Sequence, residues 1–429
     1  VYPAETSRKS DQRLEPILRV GLIGVTGYAH SYFEGLGKLV DDERLRWGAV
    51  TIINPEEAVE QVKYFRERGV AIYTDYTEML DKERKNLDWV GIPTGIGWHR
   101  KMLLDCLERG IPALVEKPLV PTLQEVALIR EAEERTGLSV AVGYQHIYID
   151  ETWEIKKRLL DGEIGEIQRI DALGLWPRAR SYYERARWSG RLHDGNSWIL
   201  DSPLHNALSH IVNLILFFSG KEWETRAKLK KVNAELYRAK SIESFDTIRT
   251  EVELEGGIPA AMILSHACQH ELHPEIRITG SLGSLHWRFK GFHTFFKEMG
   301  ITSIQSPDNI SIRETMFAGV VNHFEGKSAK ICNTTLAAGT TEWVNAVHDT
   351  APIIDIPDCH RLRIQPEDGE IHDVIRDIEY YALRAYLERK SFLEVGAPWA
   401  VSARERSLED YVSFEGRYCP EAKHSGNKP

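Results

Sequence analysis

Two side chains of this sequence are of types that could hold or move a proton: Lys117, which follows Glu116 after the short apolar run at 113–115, and His210, set in an apolar stretch at 203–219. Removing a hydride from a carbinol carbon requires the hydroxyl proton to leave as well. Such a site needs a base and a positive partner for the developing alkoxide, roles open to an imidazole and an ammonium. Asn206, His210 and Asn213 recur at i, i+4 and i+7, so on a helix they share one face. Most other positions there are Leu, Ile, Val or Phe, and a polar stripe on a buried helix is costly without partners, which a cleft ligand could supply. On the residues alone, a core histidine with satisfied nitrogens is the favoured reading of His210. Asp201 and His205, just upstream, read first as a cap and a structural histidine and second as helpers of the base.

A second concentration lies at 176–188, where Trp176, Arg178, Arg180, Tyr182, Tyr183, Arg185, Arg187 and Trp188 crowd together. Aromatic rings stack on sugar faces and arginines grip hydroxyls or carboxylates. The same composition suits a subunit interface. Tyr144 and His146, ending an apolar run at 139–142, face alike in a strand and are further substrate-side candidates.

The elements that must position these groups follow from pattern. A β-rich run at 17–23 ends in Gly24-Val25-Thr26-Gly27 and leads through Tyr28 and Ala29 into a helix-like segment. Small residues at such a turn let a backbone approach a pyrophosphate at a helix N-terminus, although Thr26 stands where a second glycine is expected. Further runs at 47–53, 70–73, 87–92, 113–115 and 139–142 alternate with helix-length segments, which predicts a parallel sheet covered by helices. Thr122 and Glu125 form a capping box predicting a helix over 123–135. From Gly165 the strand-like runs at 167–175, 251–254, 260–265, 277–279 and 285–289 mostly lack intervening helices. The expected architecture is an α/β Rossmann domain over 15–145 followed by an α+β domain with a largely antiparallel open sheet over 146–420. Asn54, ending the second run, can bond a ribose hydroxyl, and no Arg follows it at 55–64 to hold a 2′-phosphate, which favours NAD over NADP.

The net charge of −10 would repel a phosphate backbone, so nucleic acid is excluded as a direct ligand. The most apolar stretch, at 211–218, is far below the roughly 20 residues of a membrane span. Cys106, Cys268, Cys332, Cys359 and Cys419 are scattered without metal spacing, which points to a reducing cytoplasm and no zinc site. The first residue is Val1, which leaves room for a leader removed upstream, and the only tail that reads as loose is 425–429.

Glu116-Lys117-Pro118 resembles the E-K-P signature of the Gfo/Idh/MocA oxidoreductases. The run from Pro93 through Thr94 to His99 resembles that family's loop after the fourth strand, and Gly280-Ser281-Leu282-Gly283 its second-domain turn. The family's D-x-x-x-H-x-x-D pattern maps onto Asn206, His210 and Asn213, with both acids replaced by amides. The resemblance implies a nicotinamide cofactor held by Gly24, Thr26, Gly27, Tyr28, Ala29, Asn54, Thr94, His99, Glu116 and Lys117. It further implies catalysis by Lys117 and His210 with Asn206, and a carbohydrate-like substrate met by Tyr144, His146, Trp176, Arg178, Tyr182, Tyr183, Trp188 and His205. Dimers or tetramers built on the open sheet, and a C-terminal segment bracing the two domains, are implied as well. The expected reaction is oxidation or reduction of a secondary hydroxyl of a sugar, cyclitol or derivative. Redox-neutral glycoside cleavage and a non-catalytic sensor are its rivals.

Overall fold

A computed structural model describes residues 17–298, 300–327, 330–366 and 369–419. The tail expected at 425–429 and the outermost residues of both expected domains, 15–16 and 420, lie outside the described residues. The six leading apolar runs are strands β1 (Arg19–Ile23), β2 (Arg46–Thr51), β3 (Ala71–Tyr73), β4 (Trp89–Ile92), β5 (Ala113–Val115) and β6 (Val140–Val142). They pair in parallel in the order β3-β2-β1-β4-β5-β6, so strand order reverses at β1 and a crevice opens beyond the carboxyl ends of β1 and β4. Helices α1 (His30–Asp41), α2 (Val59–Glu67), α3 (Tyr76–Glu83), α4 (Ile96–Glu108) and α5 (Leu123–Thr136) connect them. Covered sheets need strands apolar on both faces, and β4, β5 and β6 are buried at every position. The Thr122 hydroxyl accepts from the Glu125 amide at 3.4 Å, and Gly137, at φ 70°, closes α5 in the left-handed region.

Helix α6 (Asp150–Leu160) leads into a mixed sheet made of β7 (Ile167–Leu175), β8 (Leu229–Arg238), β9 (Thr247–Leu254), β10 (Ile258–Ser265), β11 (Leu272–Gly280), β12 (Gly283–Arg288), β13 (Phe292–Lys297), β14 (Gly300–Gln305), β15 (Ile353–Asp355) and β18 (Arg404–Ser407). Its order is β14-β13-β12-β11-β7-β10-β9-β8-β15, with β18 also on β8, and only the β7/β10 and β8/β15 pairs are parallel. A hairpin of β16 (Arg361–Ile364) and β17 (His372–Ile375) stands apart. Helices α7 (Arg180–Glu184) and α8 (Ser209–Phe218) interrupt the strands, and α9 (Asn309–Phe324), α10 (Thr334–Thr350) and α11 (Ile378–Glu388) follow.

The pattern at 203–219 predicts one helix, whereas α8 begins only at Ser209. Its missing first turns have a local cause. The Asn206 carbonyl, which in a continuous helix would accept from the His210 amide, accepts instead from Lys117 Nζ at 3.0 Å, from Ser209 Oγ at 2.9 Å and from the Ser209 amide at 3.4 Å. Asn206 therefore does not share a helical face with His210 and Asn213.

The C-terminal segment ties the halves together. Helix α10 packs on α5, α8 and β8, and its Asn345 and Thr341 accept from the Leu123 amide and donate to the Pro121 and Val120 carbonyls at 2.7–3.0 Å. Helix α9 lies on α1, where Phe317 meets Tyr32 edge-on at 5.0 Å.

Candidate functional site

The turn after β1 is shaped by backbone. Gly24 has φ 92° and Gly27 φ 59°, a region costly to residues with a Cβ, and a 3-10 turn (Gly27–Ala29) carries the chain into α1. The first amides of a helix lack intrahelical partners and attract anions. Gly24, Thr26, Gly27, Tyr28, Ala29 and Thr94 all line a cleft of about 1070 Å³ running along the carboxyl ends of the strands. That size fits a dinucleotide, with the Gly24 amide held by the Thr51 carbonyl at 2.9 Å and the Ala29 amide by the Thr26 carbonyl at 3.2 Å. Asn54 is not among the lining residues; the exposed Ile53 lines the cleft beside it, as do Asp75 and Thr77.

His99 is buried and lines no part of this cleft. Its Nδ1 lies 3.0 Å from the Pro118 carbonyl and its Nε2 2.9 Å from the Thr94 carbonyl, so it staples the two loops that carry Thr94 and Lys117. Glu116 turns inward and accepts from Tyr32 Oη at 3.0 Å, and burial pushes its carboxyl up to about 7. Only glycine fits beside it: a Cβ on Gly143 would sit 2.8 Å from Glu116 Oε2.

The inner end of the cleft meets a cavity of about 160 Å³, and Tyr28, Thr94, Gly95, Arg185 and Trp188 line both. Lys117, Asp201, His205 and Asn206 complete its walls. Lys117 Nζ donates to Asn206 Oδ1 at 3.1 Å, and Asn206 Nδ2 donates to Asp201 Oδ1 at 2.9 Å. Asp201 Oδ2 accepts from the Gly190 amide at 2.6 Å. The acid absent from position 206 is thus supplied from five residues upstream and connected to the lysine through an amide. Desolvation lowers the Lys117 pKa and raises that of Asp201, and each charge partly restores the other. Asp201 is not the cap of α8, which is preceded by Leu208 without a side-chain cap.

The two histidines differ. His205 is 1 % exposed, and its Nδ1 faces the Ile199 and Leu200 carbonyls at 3.2 and 3.3 Å. His210 is half-buried, edge-on to Tyr144 at 5.6 Å and to His146 at 5.3 Å, with its Nδ1 buried and unpartnered. Burial, reinforced by His146, Lys117 and Arg313, holds its pKa well below the usual range. His146 contacts Trp287 and Phe289 of the second sheet, and burial lowers it to about 4.

The aromatic and basic segment divides. Trp188 and Arg185 reach the cavity, and Tyr182 Oη accepts from Asn206 at 3.4 Å. Trp176 packs on Phe289 at 5.1 Å, Arg178 lies 4.9 Å from the Tyr182 ring, and Tyr183 is held with its hydroxyl buried. None of these three lines the cavity. Among the described residues no cluster of His, Cys, Asp and Glu could hold a metal ion, and no helix is long and apolar enough to cross a membrane.

Residues 18–144 match the model of the oxidoreductase family with an NAD-binding Rossmann fold, and residues 152–286 match the GFO/IDH/MocA C-terminal domain. The chain belongs to the Gfo/Idh/MocA oxidoreductase family. It is 22% identical over 215 residues to the glucose-6-phosphate 3-dehydrogenase of Bacillus subtilis, covering 50% of this chain and 57% of that protein. It is 28% identical over 188 residues to an alpha-N-acetylgalactosaminidase of Shewanella oneidensis, covering 42% of this chain and 39% of that one. The chain thus spans about half the length, or less, of these curated relatives. The WlbA dehydrogenase of Chromobacterium violaceum, solved with NADH and UDP-GlcNAcA, shares the fold at a TM-score of 0.64 and 21% identity over 81% of this chain and 95% of that one. For this family member, the sequence did not single out Ile53 or Gly143. Ile53 reads as one more strand residue, and Gly143 lies far in sequence from Glu116, which it approaches in space.

Proposed function

We propose that the protein oxidises or reduces a secondary hydroxyl of a sugar, cyclitol or sugar derivative, with Lys117 and His210 as its proton-handling groups. The supporting observation is the position of Lys117 in the wall of the inner cavity that adjoins the dinucleotide cleft, relayed through Asn206 to Asp201. A nicotinamide dinucleotide bound along Gly24, Thr26, Gly27, Tyr28 and Thr94 would supply the hydride chemistry. Lys117 donates a hydrogen bond to the reacting hydroxyl oxygen and stabilises negative charge developing on it. The proton passes to His210, which stands outside the cavity wall that His205 lines but is neutral because of its burial and is the more exposed of the two histidines. His205, shut in against two carbonyls, fixes the wall beside Asp201. Trp188 and Arg185 line both the cavity and the cleft.

Thermal shifts with NAD+, NADH, NADP+ and NADPH test the cofactor half of this reading, since a ligand that binds only the folded state raises its melting temperature with concentration. A shift selective for NAD(H) is expected, and none with any dinucleotide would refute it. The Lys117→Ala variant is expected to keep that shift and to lose turnover by about 10²–10⁴-fold on any substrate found by screening. The similarity to a glycosidase and the amide at 206 favour a second reading, transient oxidation that ends in glycosidic-bond cleavage. Product formed without net NADH would mark it.

A further inference from the structure

In a chain of net charge −10, the segment 178–191 carries five arginines, Arg178, Arg180, Arg185, Arg187 and Arg191, against one acid, Glu184. Three of the five are engaged within the fold. Arg178 and Arg185 lie over the Tyr182 ring at 4.9 and 3.5 Å, and Arg180 holds both oxygens of Asp373 at 2.7 and 2.9 Å. Among the described residues, the guanidiniums of Arg187 and Arg191 meet no acid, acceptor or ring. Both line a cavity of about 700 Å³ between this segment and the loop at 240–243. That cavity shares no residue with the Lys117 cavity and touches the dinucleotide cleft at Ala186 alone. The segment is a partition: Arg185 and Trp188 face the Lys117 cavity, and Tyr183, Arg187 and Ser189 face the other.

The second cavity is preformed. The Gly190 carbonyl accepts from the Glu243 and Ser244 amides at 2.9 and 3.0 Å, which ties its two walls together. Only glycine fits at that point, where φ is 72° and a Cβ would sit 2.6 Å from Ile242. Lys240, 6 % exposed, adds a third positive group; its Nζ donates to the Arg178 and Asp373 carbonyls at 2.7 and 2.8 Å rather than to an acid. Of the acids in the walls, Asp373 is also held by Arg363 at 3.2 Å, and Glu243 accepts from the Leu192 amide at 3.1 Å, which leaves Glu184. The Ser189 and Tyr183 hydroxyls in the same walls are shut off from water without a partner.

Like charges gathered in one concavity focus a potential that attracts anions, and guanidinium forks match the oxygens of a phosphate. The cavity is larger than a lone phosphate needs, and Tyr183, Ala186 and Ile242 give it an apolar wall for an organic remainder. We propose that this cavity is a second ligand site, one that takes a small molecule bearing a phosphate or pyrophosphate and grips it with Arg187 and Arg191. The backbone at its floor also holds the relay behind Lys117. The Gly190 amide donates to Asp201 Oδ2 at 2.6 Å, and the Arg191 carbonyl accepts from the Asp201 amide at 3.0 Å, so the ligand lies one chain thickness from Asp201. The site stands on these walls and not on the dehydrogenase reading.

Inorganic phosphate and pyrophosphate are to be titrated by calorimetry, at constant ionic strength, into wild-type protein with and without saturating NAD+ and into the double variant Arg187→Gln/Arg191→Gln. One pyrophosphate per chain is expected, with a Kd below about 1 mM that NAD+ changes by less than about threefold. The double variant should weaken it about tenfold or more, with NAD+ affinity and melting temperature unchanged, because both side chains are exposed and unpaired. Arg187→Lys/Arg191→Lys should recover part of the loss. Binding of neither anion by the wild type would overturn the proposal. Binding that NAD+ displaces would assign the anion to the dinucleotide cleft and overturn it too. So would binding that survives in the double variant, which marks diffuse attraction to a positive surface. A wild type that binds pyrophosphate through these arginines but binds no dinucleotide would sink the dehydrogenase reading and leave this one standing.

Discussion

The two sides of the cleft are built by different means. On the nucleotide side, the turn from Gly24 to Ala29 is consecutive in sequence, and its shape comes from backbone at φ 92° and 59° and from the start of α1. On the substrate side the groups arrive from separated places: Lys117 from the end of β5, Asp201 and Asn206 from the turns before α8, and Trp188 from the segment after α7. Side-chain hydrogen bonds join Lys117, Asn206 and Asp201, and Trp188 meets them only as part of the cavity wall. The contrast teaches that the first side tolerates changes of side chain but not of backbone, and that the second behaves in the opposite way.

The largest expected effect breaks the backbone rule. Gly24→Val puts a β-branched residue at φ 92°, where even an ordinary side chain costs about 1–2 kcal/mol. Dinucleotide affinity, read by calorimetry, is expected to fall by more than tenfold. Thr26→Ala, next but one in the same turn, removes a hydroxyl that makes no cap bond and should change it by less than about threefold. Equal losses from the two substitutions would erase the distinction between the sides.

The same contrast explains what was legible in the sequence. The parallel sheet, the turn at 24–29 and the capped helix from Leu123 follow from local periodicity and turn chemistry, which act within a few residues. Asn206 was legible as a polar residue in an apolar stretch, but not its departure from the helix. That depends on Lys117, which is distant in sequence and takes the Asn206 carbonyl. The approach of Asp201 through Asn206 was similarly hidden, because an aspartate before a helix reads first as a cap.

An intermediate effect sharpens the substrate side. Asn206 bridges Lys117 and Asp201, with its Nδ2 only 2.9 Å from Asp201 Oδ1. Asn206→Asp restores the acid of the family pattern but sets two carboxylates against each other, and a pair this close holds a shared proton. The pair's pKa is raised in the folded state, so its stabilising contribution is present at low pH and lost as pH rises through that pKa. Thermal melts should show the variant close to wild type near pH 5 and roughly 1–3 kcal/mol less stable at pH 8, with turnover lost over the same range. A variant with higher turnover and unchanged stability at pH 8 would show that Asp201 is not the carboxylate serving Lys117.

The smallest effect separates the site from the scaffold. Each half buries one carboxyl whose pKa is pushed up to about 7: Glu116 beside the site, and Glu235 on β8, where Tyr237 Oη donates to it at 2.8 Å. Desolvation is the main cause in both. A folded pKa above the unfolded one means that stability is fully present below about 4.5 and declines as pH rises through about 7, where ionisation of the buried group must be borne. Glu235→Gln cannot ionise and keeps an acceptor for Tyr237. Its stability should therefore fall less steeply between pH 5 and 8, with a gain over wild type on the order of 2 kcal/mol at pH 8 in denaturant titrations. Because Glu235 lines neither the cleft nor the cavity, the pH dependence of dinucleotide binding should be unaltered in this variant. If that binding profile moves with the stability profile, the two halves are electrostatically coupled, and the division between a backbone-made and a side-chain-made wall does not extend to their titrations.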